Sequence, residues 1–289
     1  MIDSLPIFDR ISWLPYQVFN KIRKGNSKNL AVDMVKYGIN RKFSLSLPIN
    51  DDGLSQQLSV YRFREPINCR YYCDFITEED RLLDIGSNVG FFPILGGRAS
   101  KIVCVEPLEE LIPLLRENIK ANNLSGKCEI IHAAVGNSIT LHLEANHQMN
   151  LSRIVSGANG NTREVQGIPL EDLVTKYNTN AIRMDVEGYE YEILYHKIPK
   201  TVNKISLEFH TGVMGNEKSR QLIDYFIKEG FKFSYFIEDI PLRLYPFVHV
   251  LRNPMLFQPI SYVISDPDPD QIYERIFIGR SLKYLFLTR

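Results

Sequence analysis

The run Leu82-Leu83-Asp84-Ile85-Gly86-Ser87-Asn88-Val89-Gly90 constrains the fold more than any other stretch of the chain. It reads as a buried strand that ends in an acidic residue and opens into a tight, glycine-bearing turn before a helix. About twenty residues further on, a second apolar strand, Ile102-Val103-Cys104-Val105, ends in Glu106. Glycines let backbone approach a ligand, and a carboxylate at the next strand end can meet a ribose diol. Together they are the logic of a nucleotide site in an α/β sheet. The loop is not the dinucleotide fingerprint G-x-G-x-x-G, because an Asp precedes a G-x-x-x-G spacing.

The surrounding pattern agrees with a sheet of this kind. From residue 81 strand and helix patterns alternate, with strands expected at 82–85, 102–105, 128–132, 180–185, 203–208, 231–237 and 282–287. Helices are expected at 89–97, 108–122, 170–177, 188–195 and 216–229, the last stopped by Gly230. In 108–122, Leu108, Leu111, Ile112, Leu115 and Ile119 make an apolar stripe opposite Glu109, Glu110, Arg116 and Lys120. Apolar strands alternating with helices imply a largely parallel sheet covered on both faces. Two stretches interrupt the rhythm. Residues 136–167 are rich in Gly and Asn, with a hairpin expected around 139–144. Residues 240–281 are rich in Pro and aromatics, as a lid or substrate-shaping insertion would be.

Ahead of this region, residues 1–40 read as helical, broken at Gly25 and Gly38. Segments 41–47 and 57–63 alternate with period two and are expected to pair as an antiparallel hairpin. Pro66 opens a helix that runs to about Phe75. Segment 7–24 has helical apolar spacing and basic residues, so peripheral membrane contact stands beside ordinary packing on the domain. No signal peptide is expected at the N-terminus, and no apolar run is long enough to span a bilayer. The formal net charge is +0, which counts against a broad nucleic-acid-binding field. Cys69, Cys73, Cys104 and Cys128 form no C-x-x-C pair and are expected as reduced cysteines of a cytoplasmic protein, with a Cys69–Cys73 disulfide as the minor alternative.

A second motif lies a hundred residues downstream: Ile182-Arg183-Met184-Asp185-Val186-Glu187-Gly188-Tyr189-Glu190, followed by Ile205-Ser206-Leu207-Glu208-Phe209-His210. The loop from Asp84 to Gly90 with Glu106 resembles the cofactor motif of class I S-adenosylmethionine-dependent methyltransferases. The Asp-Val-Glu-Gly and Glu-x-His segments resemble the signature of the FkbM family within them. Glu65-Pro66 also fits that family's approach to its first motif. The resemblance spans about residues 60–237 plus the last strand. It implies a seven-stranded, Rossmann-like α/β sheet with helices on both faces. Residues 1–80 would be a helical and hairpin extension, and 81–289 the methyltransferase domain with its late insertion. It implies S-adenosylmethionine as cofactor and methylation of a hydroxyl, on a glycan, a lipid-linked sugar or a small metabolite. An RNA methyltransferase and a non-catalytic cofactor-binding protein are the alternatives. Nothing in the chain speaks to its oligomeric state.

Carried over by position, Asp84, Gly86, Ser87, Asn88 and Gly90 would line the methionine end of the cofactor. Glu106, with Pro107, would meet the ribose, and His132, Ala133 and Ala134 would border the adenine. Arg183 stands where the family often has Lys, a change that keeps charge but not geometry. Asp185 and Glu187 alternate along an extended segment, as do Glu208 and His210 on the next strand, so four polar groups are expected to converge. His210 or Asp185 is the candidate base for the acceptor hydroxyl. Mg²⁺ or Mn²⁺ held by the four would lower the hydroxyl pKa instead; the metal-free base is the preferred reading. The chain has no Asn/Asp-Pro-Pro-Tyr segment, which argues against adenine amino-methylation, and no Pro-Cys pair for cytosine C5 chemistry.

Overall fold

The computed structural model describes residues 2–3, 28–35, 38–48, 58, 64–146, 152–155, 157–158, 160–240, 260–277 and 281–289. In chain order the elements begin with β1 (Ile2–Asp3), β2 (Lys28–Asp33), β3 (Lys42–Leu47) and α1 (Pro66–Phe75). The βα region follows with β4 (Arg81–Ile85), α2 (Phe91–Leu95), β5 (Lys101–Glu106), α3 (Ile112–Ala121) and β6 (Cys128–His132). Four further strands are β7 (Ala134–Val135), β8 (Thr140–Glu144), β9 (Arg153–Val155) and β10 (Thr162–Ile168). Then come α4 (Leu170–Tyr177), β11 (Ala181–Met184), α5 (Glu190–Leu194), β12 (Lys204–Glu208), α6 (Thr211–Met214) and α7 (Asn216–Lys228). The chain closes with β13 (Lys232–Ile240), β14 (Ile260–Ser265), α8 (Pro269–Ile276) and β15 (Leu282–Thr288).

The main sheet has the order β1-β14-β13-β15-β12-β11-β4-β5-β6. Strands β12, β11, β4, β5 and β6 pair in parallel, and β15, β13, β14 and β1 add antiparallel strands at the other side. The seven strands from β13 to β6 are those the sequence pattern marks. Among the described residues the sheet is nine strands wide because β14, from the late insertion, and β1 continue it. Adjacent residues on β4 serve opposite faces. Leu82 packs with Tyr72, Phe92 and Leu115 of α1, α2 and α3, and Leu83 packs with Leu173, Ile193 and Phe226 of α4, α5 and α7. Both leucines are fully buried. A strand covered on both faces needs a continuous apolar run, and each such side chain contributes roughly 1.5–3 kcal/mol of burial.

The N-terminal portion departs from expectation. Where a helix was expected, Lys28–Asp33 is a strand paired antiparallel with β3. Leu30, Val32 and Met34 are buried on one side, and Ala31, Asp33 and Val35 are exposed on the other. The partner of β3 is therefore β2 and not segment 57–63. Of that segment only Leu58 is described, and it is buried and helical. The amphipathic segment 7–24 lies outside the described residues. The stretch around 139–144 is the strand β8, which pairs antiparallel with the next strand, β9, as a hairpin and with β10 on its other side in a four-stranded sheet. The insertion carries β14 and α8, and Asp268 caps α8 by accepting from Gln271 N, with the Gln271 side chain answering. All four cysteines are free, with Cys104 Sγ 3.4 Å from Cys128 Sγ and no Cys69–Cys73 bond.

Candidate active site

A cleft opens at the carboxyl ends of β4, β5 and β11, the edge where α/β sheets present ligands. Gly86, Ser87, Asn88, Glu106, Asp185 and Glu187 line it. Pro107, Ala133 and Ala134 border it as well, and the small sheet closes one wall through Leu143, Arg153 and Ile154.

Tertiary contacts force the loop's shape. Gly86 has φ +79°, and a Cβ there would lie 1.9 Å from the Asp185 carbonyl oxygen. Only glycine lets the β4 loop press against the end of β11. Gly86 N and Ser87 N donate to Val105 O at 3.0 and 3.2 Å, and Asp185 N donates to Ile85 O at 3.0 Å. Gly90, with φ +91°, gives way to Leu115, whose Cδ1 would stand 2.8 Å from a Cβ. Asn118 on α3 ties the loop to the N-terminal strands, donating from Nδ2 to Val89 O (2.8 Å) and to Ser46 O (2.9 Å).

Glu106 brackets the same loop. Its Oε2 accepts Asn88 N at 2.7 Å and its Oε1 accepts Leu108 N at 2.8 Å. Burial pushes its pKa up to about 7, against the pull of those two amides. Each oxygen keeps a second acceptor direction. Asp84 is fully buried behind the loop; its carboxylate oxygens have no hydrogen-bond partner, and burial raises it to about 6 despite Arg183. Asp84 and Gly90 thus support the loop from behind and are not part of the cleft lining. His132 is exposed and off the lining, its Nε2 3.1 Å from Pro107 O.

The four polar groups do converge, although not by strand alternation. Strand β11 ends at Met184, and Glu187 and Gly188 turn the chain with φ of +53° and +104°. His210 likewise lies beyond β12, at the start of α6. Its Nε2 faces Glu187 Oε2 at 3.4 Å, Glu208 Oε1 at 3.4 Å and Asp185 Oδ1 at 4.0 Å. Burial opposes a charge on this imidazole, but Glu190 and Glu208 outweigh it and hold its pKa well above the ordinary value. Burial also opposes the Asp185 carboxylate, yet Arg183 and His210 keep its pKa below normal. Glu187 goes the other way, to about 8, through burial and the neighbouring Asp185 charge.

Two contributors, Glu190 and Arg64, were not among the expected site residues, and a third, Arg183, was expected only to replace the charge of a Lys. Glu190 is fully buried and sets Oε1 2.5 Å from His210 Nδ1, while also accepting Gly188 N at 3.1 Å. It sits inside the quoted motif, three residues after Glu187, which was the available signal. Arg183 does more than stand in for Lys. It donates to Gly86 O (3.1 Å) and Asp185 Oδ2 (3.0 Å) while its guanidinium lies 4.0 Å from the Phe92 ring centre, so it braces both motifs. Arg64, paired with Glu65, lines the cleft, and no motif marked it.

The family model described as "Methyltransferase FkbM domain" matches residues 84–233, just over half of the chain. Among solved structures, the chain is similar to an O-methyltransferase from Bacillus cereus in complex with SAH, at 11% identity and TM-score 0.42, covering 84% of each chain. It is similar to the precorrin-6y C5,15-methyltransferase of Geobacter metallireducens at 7% identity and TM-score 0.40, covering 78% of this chain and 89% of that one. It is also similar to the m1A22 tRNA methyltransferase of B. subtilis, at 11% identity and TM-score 0.38, covering 76% and 64%. These likenesses carry nothing about substrate. The family match does carry an assignment, and it covers both the Asp84–Gly90 loop and the Asp185–His210 cluster: the chain belongs to the FkbM methyltransferase family.

Proposed function

We propose that this protein is an S-adenosylmethionine-dependent O-methyltransferase acting on a hydroxyl of a glycan, a lipid-linked sugar or a small metabolite. The observation that carries the reading is the meeting of two features at one cleft: the Gly86–Asn88 loop with Glu106, and Asp185 and Glu187, which line the cleft and are backed by His210 and Glu208 behind its wall. The loop fits the cofactor because Gly86 removes the side chain where a ligand must approach backbone, and Glu106 offers two remaining acceptor directions to a diol. Bound there, S-adenosylmethionine supplies an electrophilic methyl group on a sulfonium.

The chain's own groups then have three tasks. They align the acceptor oxygen with the methyl, take the hydroxyl proton, and keep competing water out. Asp185 is the proton acceptor, since Arg183 and His210 favour its ionised form. His210, anchored through Nδ1 by Glu190, positions Asp185 and Glu187 and is not the base. No described helix is long and apolar enough to cross a membrane, and the free cysteines support a cytoplasmic setting. The decisive experiment incubates the protein with radiolabelled methyl donor and cell extract and asks which fraction gains label. Label in glycan, lipid or metabolite fractions that disappears with Asp185→Asn supports the reading. Label confined to RNA, or none at all beside a failure to bind S-adenosylhomocysteine, refutes it.

A further inference from the structure

His210 is held at the centre of the cluster in a particular way. Glu190 takes its Nδ1 at 2.5 Å, which leaves Nε2 to face Asp185, Glu187 and Glu208. A carboxylate behind the distal nitrogen is how an imidazole is fixed when its other nitrogen serves a metal. Asp185 is fixed in the same fashion. Arg183 holds Oδ2 at 3.0 Å, and Oδ1, fully buried, has no hydrogen-bond partner and points toward Nε2. A buried carboxylate oxygen without a donor is costly unless something else satisfies it.

The spacings fit one ion. One atom each from Asp185, Glu187 and His210 lie within 4.8 Å of one another. Donors bonded to one cation at about 2.1 Å must stand about 3 Å apart when adjacent and about 4.2 Å apart when opposite. The separations of 3.4, 3.4 and 4.0 Å around Nε2 fall between those limits. Asp185 and Glu187 also line the cleft, so coordination positions not filled by the protein face the space for an acceptor.

We propose that Asp185, Glu187 and His210, with Glu208 as a further ligand, form a divalent-cation site in the cleft wall. Oxygen-rich donors with one imidazole select Mg²⁺ or Mn²⁺. The use of this site rests on the methyl-transfer reading. There the cation holds the acceptor hydroxyl, whose proton passes to a carboxylate as the O–C bond forms and the C–S bond of the sulfonium breaks. The sulfur leaves as a neutral thioether, and no oxidant or reductant is needed.

The test uses the full chain, stripped with EDTA and titrated with MnCl₂ while the free Mn²⁺ resonance signal is followed. One saturable site per chain is expected. Glu187→Gln and His210→Gln should each weaken it by at least about tenfold, and Glu190→Gln by roughly 10–100-fold. Melting curves confirm that each variant folds. Absence of saturable binding up to about 1 mM Mn²⁺, or unchanged binding in folded Glu187→Gln and His210→Gln, overturns the proposal. S-adenosylhomocysteine binding is measured on the same samples. S-adenosylhomocysteine binding with no saturable Mn²⁺ binding sinks the cation site alone, whereas saturable Mn²⁺ binding with no S-adenosylhomocysteine binding sinks the methyl-transfer reading and leaves the site standing.

Discussion

Replacing Gly86 with alanine should damage the molecule twice, and the two effects can be measured separately. At φ +79° a residue with a Cβ pays roughly 1–2 kcal/mol. The Cβ would also lie 1.9 Å from Asp185 O, where an ordinary carbon–oxygen approach is about 3.3 Å, so a gap of about 1.4 Å must open between loop and strand end. Both residues are tied down: Gly86 N donates to Val105 O, and Asp185, just past the end of β11, donates its own N to Ile85 O. Forced overpacking of this kind costs about 1–3 kcal/mol. The expected total is roughly 2–5 kcal/mol, or a fall in Tm of roughly 5–15 °C for a chain of this size. Because the same shift moves the Gly86–Asn88 backbone by an ångström or so, S-adenosylhomocysteine affinity should drop about a hundredfold by calorimetry. Gly126→Ala is the comparator, since nothing lies within 4 Å of its Cβ and its φ is not positive; it should be near neutral. If Gly86→Ala keeps its Tm within about 2 °C and its affinity within about twofold, the close approach of the two strand ends is not what this loop requires.

Asn118→Ala should destabilise by roughly 3 kcal/mol or more in urea titrations, because it strands Ser46 N, Ser46 O and Val89 O, all now bonded to one buried amide. A cost below about 1 kcal/mol would mean that water replaces the amide. Glu106 gives a pH dependence. Its folded pKa of about 7 exceeds the ordinary 4.5, so the folded state binds more protons and its contribution falls as pH rises from about 4.5 through 7, by on the order of 3 kcal/mol. Glu106→Gln should remove that slope from the stability profile, and an unchanged slope would assign it elsewhere. Glu190→Gln should bring the His210 titration down toward neutrality in an NMR pH series, since Glu190 is the strongest influence raising it; a shift under about half a unit would contradict the pairing.

The βα rhythm was readable because its cues are local. Each parallel strand is a short apolar run, α3 shows its stripe of Ile112, Leu115 and Ile119, and α7 stops at Gly230. These cues follow from periodicity and backbone freedom, which neighbouring residues decide among themselves. The reading failed where a strand's role depends on a distant partner. Leu30, Val32 and Met34 alternate plainly, but a helical reading of residues 1–40 absorbed them, and only pairing with Lys42–Leu47 makes Lys28–Asp33 a strand.

The candidate site divides along the same line. Residue identities and spacing brought out Asp84 to Gly90 with Glu106, and the resemblance to the FkbM signature brought out Asp185, Glu187, Glu208 and His210, since both motifs are written in short stretches of sequence. Their arrangement is a tertiary matter. A left-handed turn at Glu187 and Gly188, not strand alternation, aims Glu187 at His210. Asp84, Gly90 and His132 fall outside the cleft because packing against Arg183, Leu115 and Pro107 claims them. Glu190 and Arg64 gain their places from contacts across 20 residues and from cleft walls far apart in sequence. Local pattern fixes which chemistry is available, and long-range packing fixes which atoms meet, because side-chain direction past the end of a strand depends on turns and neighbours that no short window contains.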